Sequence, residues 1–282
     1  MINKVFKGRK LLIATKHEKE KAIAPILEKE LGVRCFVPTN FDTDTLGTFS
    51  GEIQREADAL TTARTKCLLA MEQFDCDLAI ASEGSFGPHP EVFCIPVDEE
   101  LLLLVDKKNE IEIFVRELST NTNFHSAEIR TEAELAEFAK NAKFPSHGLI
   151  IRQASYDFLD IVKGITEMDQ LIETFNYFIK KYNSLWIETD MRAMYNPSRM
   201  IVIEKACLRL AEMMNSLCPI CYTPGFGITE GLQGLPCKVC QTATSSILSY
   251  TYACKKCKYR KEEKFPNGKF QEEPMYCDVC NP

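Results

Sequence analysis

Eight of the thirteen cysteines stand in four Cys-x-x-Cys pairs near the C-terminal end: Cys218/Cys221, Cys237/Cys240, Cys254/Cys257 and Cys277/Cys280. Two intervening residues let one tight turn aim both sulfurs at a single tetrahedral ion. A four-cysteine site takes two such turns, so four pairs predict two ions. Fifteen residues separate Cys221 from Cys237 and nineteen separate Cys257 from Cys277, both ribbon-like spacings. They favour sequential pairing, first with second and third with fourth. The rival joins Cys237/Cys240 to Cys254/Cys257 across thirteen residues and leaves the outer pairs for each other. Zinc is the expected ion, with rubredoxin-type iron or a cluster as the alternative. Eight thiolates leave neither ion an open position, which predicts two structural staples in place of a core too small to fold alone. Tyr250, Tyr252, Tyr259 and Arg260 either stack on bases of a nucleic acid or cover the metal turns.

Reactive residue types recur upstream. Thr15-Lys16-His17-Glu18-Lys19 follows a short apolar run and precedes a helical pattern, where backbone N–H groups and lysines can hold phosphate. Gly51-Glu52 and Arg55-Glu56 lie just before an alanine-rich stretch carrying Ala63 and Lys66. Ser82-Glu83-Gly84-Ser85-Phe86-Gly87 follows another apolar run. There it reads as a glycine-lined turn that brings a ligand close to a carboxylate able to ligate Mg²⁺ or act as a base. Asp190 and Arg192 suit either anion recognition or a clamp within their own loop. His147 reads as structural, His89 as structural or pocket-lining. Asn121, Thr122 and Asn123 read as base-edge readers or turn formers.

The elements that must position these groups alternate. Strands are predicted at Lys10–Thr15, Val33–Val37, Leu78–Ser82, Gly148–Arg152 and Leu185–Glu188, with a hairpin of Leu101–Val105 and Ile111–Val115. Helices are predicted over Glu18–Leu31, stopped by Gly32, and over Ala57–Phe74, Thr131–Ala142 with a Thr131/Glu134 capping box, and Thr166–Tyr182. A last helix runs from Asn196-Pro197 to Leu217. This pattern predicts an α/β domain, residues 1–216, with a mixed sheet flanked by helices, followed by a zinc-ribbon-like domain, residues 217–282.

Composition narrows the function classes. At 282 residues, 45% hydrophobic and 26% charged, the chain has an ordinary globular balance. No apolar run reaches the length of a membrane span, and the N-terminus lacks a signal-peptide core. Cys35, Cys67, Cys76, Cys94 and Cys207 are expected as small buried hydrophobes in a reducing, cytoplasmic setting. A formal net charge of −6 argues against general nucleic-acid binding. The weakly basic tail keeps nucleic acid as a minor prospect.

Together the upstream segments carry a resemblance. The strand-Thr-x-x-x-Lys opening and the spacing through Ala63-x-x-Lys66 to Asp77-Leu78-Ala79-Ile80-Ala81-Ser82-Glu83-Gly84 are similar to the inosine-triphosphatase-like superfamily, which includes the non-canonical purine nucleotide phosphatases. Asn196-Pro197-Ser198-Arg199 resembles its closing Asn…Ser-His-Arg element without the histidine. Nearly the whole chain also looks like an uncharacterised bacterial family. Its marks are residues 81–90, 117–124, Phe-Pro-Ser-His-Gly at 144–148, Glu-Thr-Asp-Met-Arg-Ala-Met-Tyr-Asn-Pro at 188–197, and the cysteine tail. The superfamily resemblance implies Mg²⁺-dependent hydrolysis of a nucleoside triphosphate to monophosphate and pyrophosphate. It puts Glu52 and Glu83 on the metal, with Glu56 as substitute. Thr15, Lys16, Lys19, Lys66 and Arg199 then meet the phosphates, with Ser85 and Arg192 as further substrate contacts. The alternative is a nucleotide-sensing adapter without turnover, whose ribbons bind a protein or nucleic-acid partner.

Overall fold

The computed structural model describes residues 5–41, 57–89, 91–155 and 157–282. The chain divides into two compact units, Met1–Ala211 and Glu212–Pro282.

The first unit opens with β1 (Lys10–Ala14), α1 (Glu20–Leu31) and β2 (Arg34–Phe36). Gly32 ends α1 at φ 67°, a left-handed conformation that glycine adopts without strain. After α2 (Ala59–Gln73), whose first turn is capped by Asp58, come three long strands: β3 (Leu78–Pro88), β4 (Pro96–Asp106) and β5 (Ile111–Ser119). They form a five-stranded mixed sheet in the order β2-β1-β3-β4-β5, parallel at β2-β1-β3 and antiparallel beyond. The face carrying Leu12, Ala14, Ala79, Ala81, Leu101 and Leu103 packs on Ala63, Cys67, Ala70 and Met71 of α2. A mixed α/β sheet flanked by helices is the expected class.

A second, four-stranded antiparallel sheet was not anticipated. It comprises β6 (Ser126–Ile129), β7 (Leu149–Arg152), β8 (Ile161–Ile165) and β9 (Leu185–Thr189), in the order β6-β9-β7-β8. Helices α3 (Glu132–Asn141) and α4 (Met168–Lys181) bury Leu135, Phe138, Leu171 and Phe175 against it. The Thr131/Glu134 capping box starts α3. Strands β6 and β8 escape the sequence because SAEI has no clear alternation and IVKGI contains Gly164 at φ 70°. Helix α5 (Pro197–Asn215) begins at the expected Asn196-Pro197 boundary.

One expectation about β3 fails. Glu83-Gly84 does not turn; the strand continues to Pro88, paired with β4 along its whole length. Hydrogen bonding to a long partner strand overrides the local signal of two glycines.

The second unit contains a three-stranded antiparallel sheet of β10 (Gly227–Gln233), β11 (Ile247–Ala253) and β12 (Arg260–Lys264). Each strand lies between successive cysteine pairs.

Candidate functional site

Each strand of the tail crosses the sheet once, so consecutive cysteine turns land at alternate ends. The register Gly227↔Ala253 sets the turn before β10 beside the turn after β11. The result is Cys218, Cys221, Cys254 and Cys257 in one cluster, and Cys237, Cys240, Cys277 and Cys280 in the other. Both pairings weighed from spacing, sequential and nested, are therefore corrected to a crossed one. The ribbon expectation required two self-contained hairpins, whereas the intervening strands pair with one another.

The clusters fit a tetrahedral ion. Four sulfurs about 2.3 Å from a zinc lie about 3.8 Å apart. The cross-pair Sγ separations are 3.6 Å for Cys218–Cys257, 3.5 Å for Cys221–Cys254, 3.8 Å for Cys237–Cys280 and 3.6 Å for Cys240–Cys277. The first cysteine of each pair is buried. In each turn a backbone N–H four residues on returns to its carbonyl, from Tyr222, Gln241, Lys258 and Asn281. The first three of these residues have φ of 57°, 62° and 63°. The Thr223 and Thr242 side chains bring the Cys221 and Cys240 thiols down to about 6, whereas Cys257 and Cys280 in the same clusters are pushed up to about 12, so the close sulfurs of each set share protons that a metal would displace. Two four-cysteine clusters that can hold metal ions are thus present.

In the first unit, charge is buried without sulfur. Thr15, Lys19, Lys66, Ser82, Glu83, Asp98, Glu100 and Arg199 are each no more than 8% exposed. Successive residues of a strand point to opposite faces. Glu83 points toward α2, where Lys66 Nζ meets its Oε1 at 2.5 Å. Ser82 points the other way, and its Oγ accepts from Lys19 Nζ at 2.9 Å. Across the β3–β4 ladder Gly84 faces Glu100 and Phe86 faces Asp98. Arg199, reaching in from the first turn of α5, donates to Glu100 and to the Met191 carbonyl at 2.5 Å. Its guanidinium also covers the Phe86 ring at 5.2 Å.

Gly84 is small because of this approach. A Cβ there would lie 2.3 Å from Arg199 Nη2 and 2.6 Å from Glu100 Oε1. The glycine admits a protein side chain, where the sequence suggested a ligand.

The two faces meet where β1 stops. Strand β1 pairs with β3 only as far as Ala14↔Ala81, and β3 continues for seven residues to Pro88. Among the described residues no strand covers that edge of β3. Lys66 and Glu83 flank it on one side, Lys19 and Arg199 on the other. Burial first, then the Arg199 charge, brings the Lys19 ammonium down to about 7, opposed by Glu100 and Glu83. Burial and the Glu100 charge push the Asp98 carboxyl up to about 7. Asp98 Oδ1 and Glu100 Oε2 are buried with no hydrogen-bond partner among the described residues.

Five expected residues, Thr15, Lys19, Lys66, Glu83 and Arg199, thus lie in this buried group. Lys16 is exposed. Ser85 is exposed too, its Oγ donating to Glu99 Oε2 at 3.4 Å. Arg192 is clamped by Asp190 and lies over the Tyr195 ring at 4.6 Å. Glu52 and Glu56 fall outside the described residues. Asn123 is a buried linker that accepts from Asn196 Nδ2 and donates to the Ala142 carbonyl. His89 accepts from the Glu91 and Val92 N–H groups within its own turn. Of the scattered cysteines, Cys67 and Cys207 are buried as expected, whereas Cys94 is exposed.

Asp98 and Glu100 were missed. The signal was present: in Pro-Val-Asp-Glu-Glu-Leu-Leu-Leu-Leu-Val they share a face, at spacing two, with Leu102 and Leu104. A cavity of about 800 Å³ lies at the opposite end of the strands, with Arg9, Lys10, Arg34, Phe74, Lys107 and Lys108 on its walls. None of the expected site residues borders it.

No curated protein matches this chain. A crystal structure of protein VC0702 from Vibrio cholerae is similar over 72% of this chain and 93% of that one, at 9% identity and a TM-score of 0.34. A likeness that slight carries no argument. Residues 66–282 match the family described as Domain of unknown function (DUF6671), and the chain belongs to that family.

Proposed function

We propose that the first unit is a Mg²⁺-dependent hydrolase releasing pyrophosphate from a nucleoside triphosphate, and that the tail holds two structural zinc ions. One observation carries the hydrolase reading: three cations and three carboxylates are gathered around a stretch of β3, at the C-terminal end of β1, that no strand covers among the described residues. Open α/β sheets bind their ligands at such ends. Lys19, Lys66 and Arg199 would neutralise phosphate charge, which grows in the transition state. Glu83, Asp98 and Glu100 offer hard oxygen ligands of the kind Mg²⁺ takes. Two of those oxygens lack a hydrogen-bond partner among the described residues, which fits a cation-binding role. The ion's charge would also offset the three carboxylates when a polyanion enters.

The zinc reading rests on the closed sulfur sets and their spacing. Nothing in either cluster leaves a position for substrate.

A second reading, nucleotide sensing without turnover, draws on the internal balance of the cluster. Lys66 already holds Glu83 and Arg199 already holds Glu100, so the cations and carboxylates offset one another without a metal ion. A panel of standard and modified nucleoside triphosphates with Mg²⁺, followed by pyrophosphate release, separates the two. The hydrolase reading expects turnover that Glu83→Gln lowers by at least about a hundredfold, with two zinc ions per chain retained. Binding without turnover across the panel supports sensing. Neither binding nor turnover rejects both.

A further inference from the structure

A second constellation lies at the start of α5. His147, 5% exposed, stands between two serines: Ser146 Oγ is 3.0 Å from its Nδ1, and Ser198 Oγ is 2.9 Å from its Nε2. The protons can be placed by elimination. Ser146 Oγ lies 2.7 Å from the Lys143 carbonyl, which can only accept, so the hydroxyl proton goes there. Ser146 Oγ must then accept from His147 Nδ1–H. A neutral imidazole carries one proton, so Nε2 presents a lone pair to Ser198, whose hydroxyl lies 2.9 Å away and whose backbone N–H donates at a longer 3.4 Å. Burial, with the Lys143 charge behind it, holds the imidazole pKa below its ordinary value and keeps the ring neutral.

A serine whose hydroxyl meets the unprotonated nitrogen of a histidine, itself oriented through its other nitrogen, is the arrangement of an activated nucleophile. Ser198 is half-buried, within reach of a substrate. It occupies the first turn of a nineteen-residue helix, where the helix dipole favours developing negative charge. It is adjacent in sequence to Arg199, but neighbouring residues of a helix project in different directions, so this centre is separate from the buried charge cluster.

Two stretches lock together to build it. The Gly148 N–H donates to the Tyr195 carbonyl at 2.8 Å, and the Asp190 N–H donates to the Gly148 carbonyl at 2.8 Å. A Cβ on Gly148 would lie 2.9 Å from Tyr195 Cβ. Residues 144–148 and 188–198, far apart in sequence, thereby meet with His147 on Ser198.

We propose that Ser198 is a nucleophile toward activated carboxylic esters, with His147 as its general base and Ser146 as a positioning residue. Ser198 Oγ adds to the ester carbonyl carbon while its proton passes to His147 Nε2. The carbon–oxygen bond to the alcohol breaks, and the departing oxygen takes the proton from Nε2, leaving acyl-Ser198. Water then adds to that acyl carbonyl, gives one proton to Nε2, and Ser198 Oγ leaves with it. The sum is ester plus water giving carboxylic acid plus alcohol.

The test treats the full chain with a fluorophosphonate probe and with p-nitrophenyl acetate, followed by intact mass and peptide mapping. Expected is one adduct, mapped to Ser198, and acetate turnover that Ser198→Ala abolishes. His147→Gln should slow labelling by about a hundredfold while hydrogen exchange shows α5 still protected. Ser146→Ala should slow it by about tenfold and shift its pH profile. Mapping on the unaltered chain decides the matter even if a variant fails to fold. No adduct on Ser198, an adduct elsewhere, or labelling indifferent to His147→Gln overturns the proposal and leaves the pair as a staple on the first turn of α5.

Discussion

Both units bury charge, and they neutralise it in opposite ways. In the first unit Lys19, Lys66 and Arg199 are set against Glu83, Asp98 and Glu100, six side chains from α1, α2, β3, β4 and α5 or their edges. Their neutrality is internal and depends on the whole unit being folded. In the tail, eight sulfurs sit in two sets of four, each set close enough for one ion. Four thiolates held that close repel one another unless an ion lies between them. The first unit makes its centre out of the fold; a tail held by metal would make its fold out of the centre. That difference predicts which perturbations each survives.

The largest effect follows from removing metal. Structural zinc contributes roughly 10–16 kcal/mol in small domains, more than a tail of this size can replace. A strong chelator at neutral pH should abolish hydrogen-exchange protection in β10, β11 and β12 while leaving β1, β3 and β4 protected. A crossed arrangement adds a sharper expectation. Cys254→Ser should disturb the turn at Cys218 and leave the Cys237 cluster with its ion, so metal content falls from two per chain to one. Loss of the Cys277 turn instead would restore sequential pairing.

Next in size is the buried pair of the first unit. Arg199 and Glu100 are both fully buried, and removing one partner strands the other charge, at a cost of about 3–5 kcal/mol. Arg199→Met should lower the first unit's denaturation midpoint accordingly, with the tail's metal content unchanged. The double replacement Arg199→Met with Glu100→Leu should recover much of the loss. If it does not, the pair acts through contacts other than charge.

These two regions were also unequally legible in the sequence. The metal ligands could be named because two residues between cysteines is a local requirement, visible without a fold. Their partnership could not, because it depends on how many strands separate two turns, and spacing alone does not count strands. The reverse held upstream. Gly32 stopping α1, the Thr131/Glu134 cap and the Asn196-Pro197 start of α5 are local and were readable. Glu83 drew notice for a turn that does not exist, yet it lies among the buried charges. Asp98 and Glu100 were passed over, because a carboxylate inside an apolar strand looks like a surface residue until the strand on its far side is known. Ser198 and His147, fifty-one positions apart, gave no local sign of each other.

Titration probes the internal neutrality more gently. Asp98 is raised to about 7 from an ordinary 3.8, so between those values the folded state holds a proton that the unfolded state has lost. Stability therefore falls as pH rises through that window. Lys19 is lowered to about 7 from 10.5, so above 7 the unfolded state holds the extra proton, and stability rises with pH. Together the two groups place a minimum near neutrality. Asp98→Asn should flatten the acid side of that minimum and leave the alkaline side, measured as denaturation midpoints from pH 4 to pH 9. An unchanged acid slope would mean that Asp98 is ionised in the folded state throughout.

The smallest effect tests whether the tail's ions hold the backbone under strain. Lys258 follows the second cysteine of its turn at φ 63°, a left-handed conformation that costs an ordinary residue about 1–2 kcal/mol. Glycine would remove that cost while losing more entropy on ordering, about 0.5–1 kcal/mol. It would also lose the Lys258 Nζ bond to the Lys255 carbonyl, which is exposed and weak. The balance favours Lys258→Gly by about 0.5 kcal/mol, a two- to threefold gain in metal affinity. The gain should appear as slower metal loss to a competing chelator, confined to the Cys218 cluster. The Cys237 cluster, whose turn is unaltered, serves as the internal reference. Equal changes at both clusters would show that the two ions are held cooperatively through β10 and β11. In that case the strain at Lys258 is shared by the sheet, and the tail behaves as one folding unit with two ions in place of two independent staples.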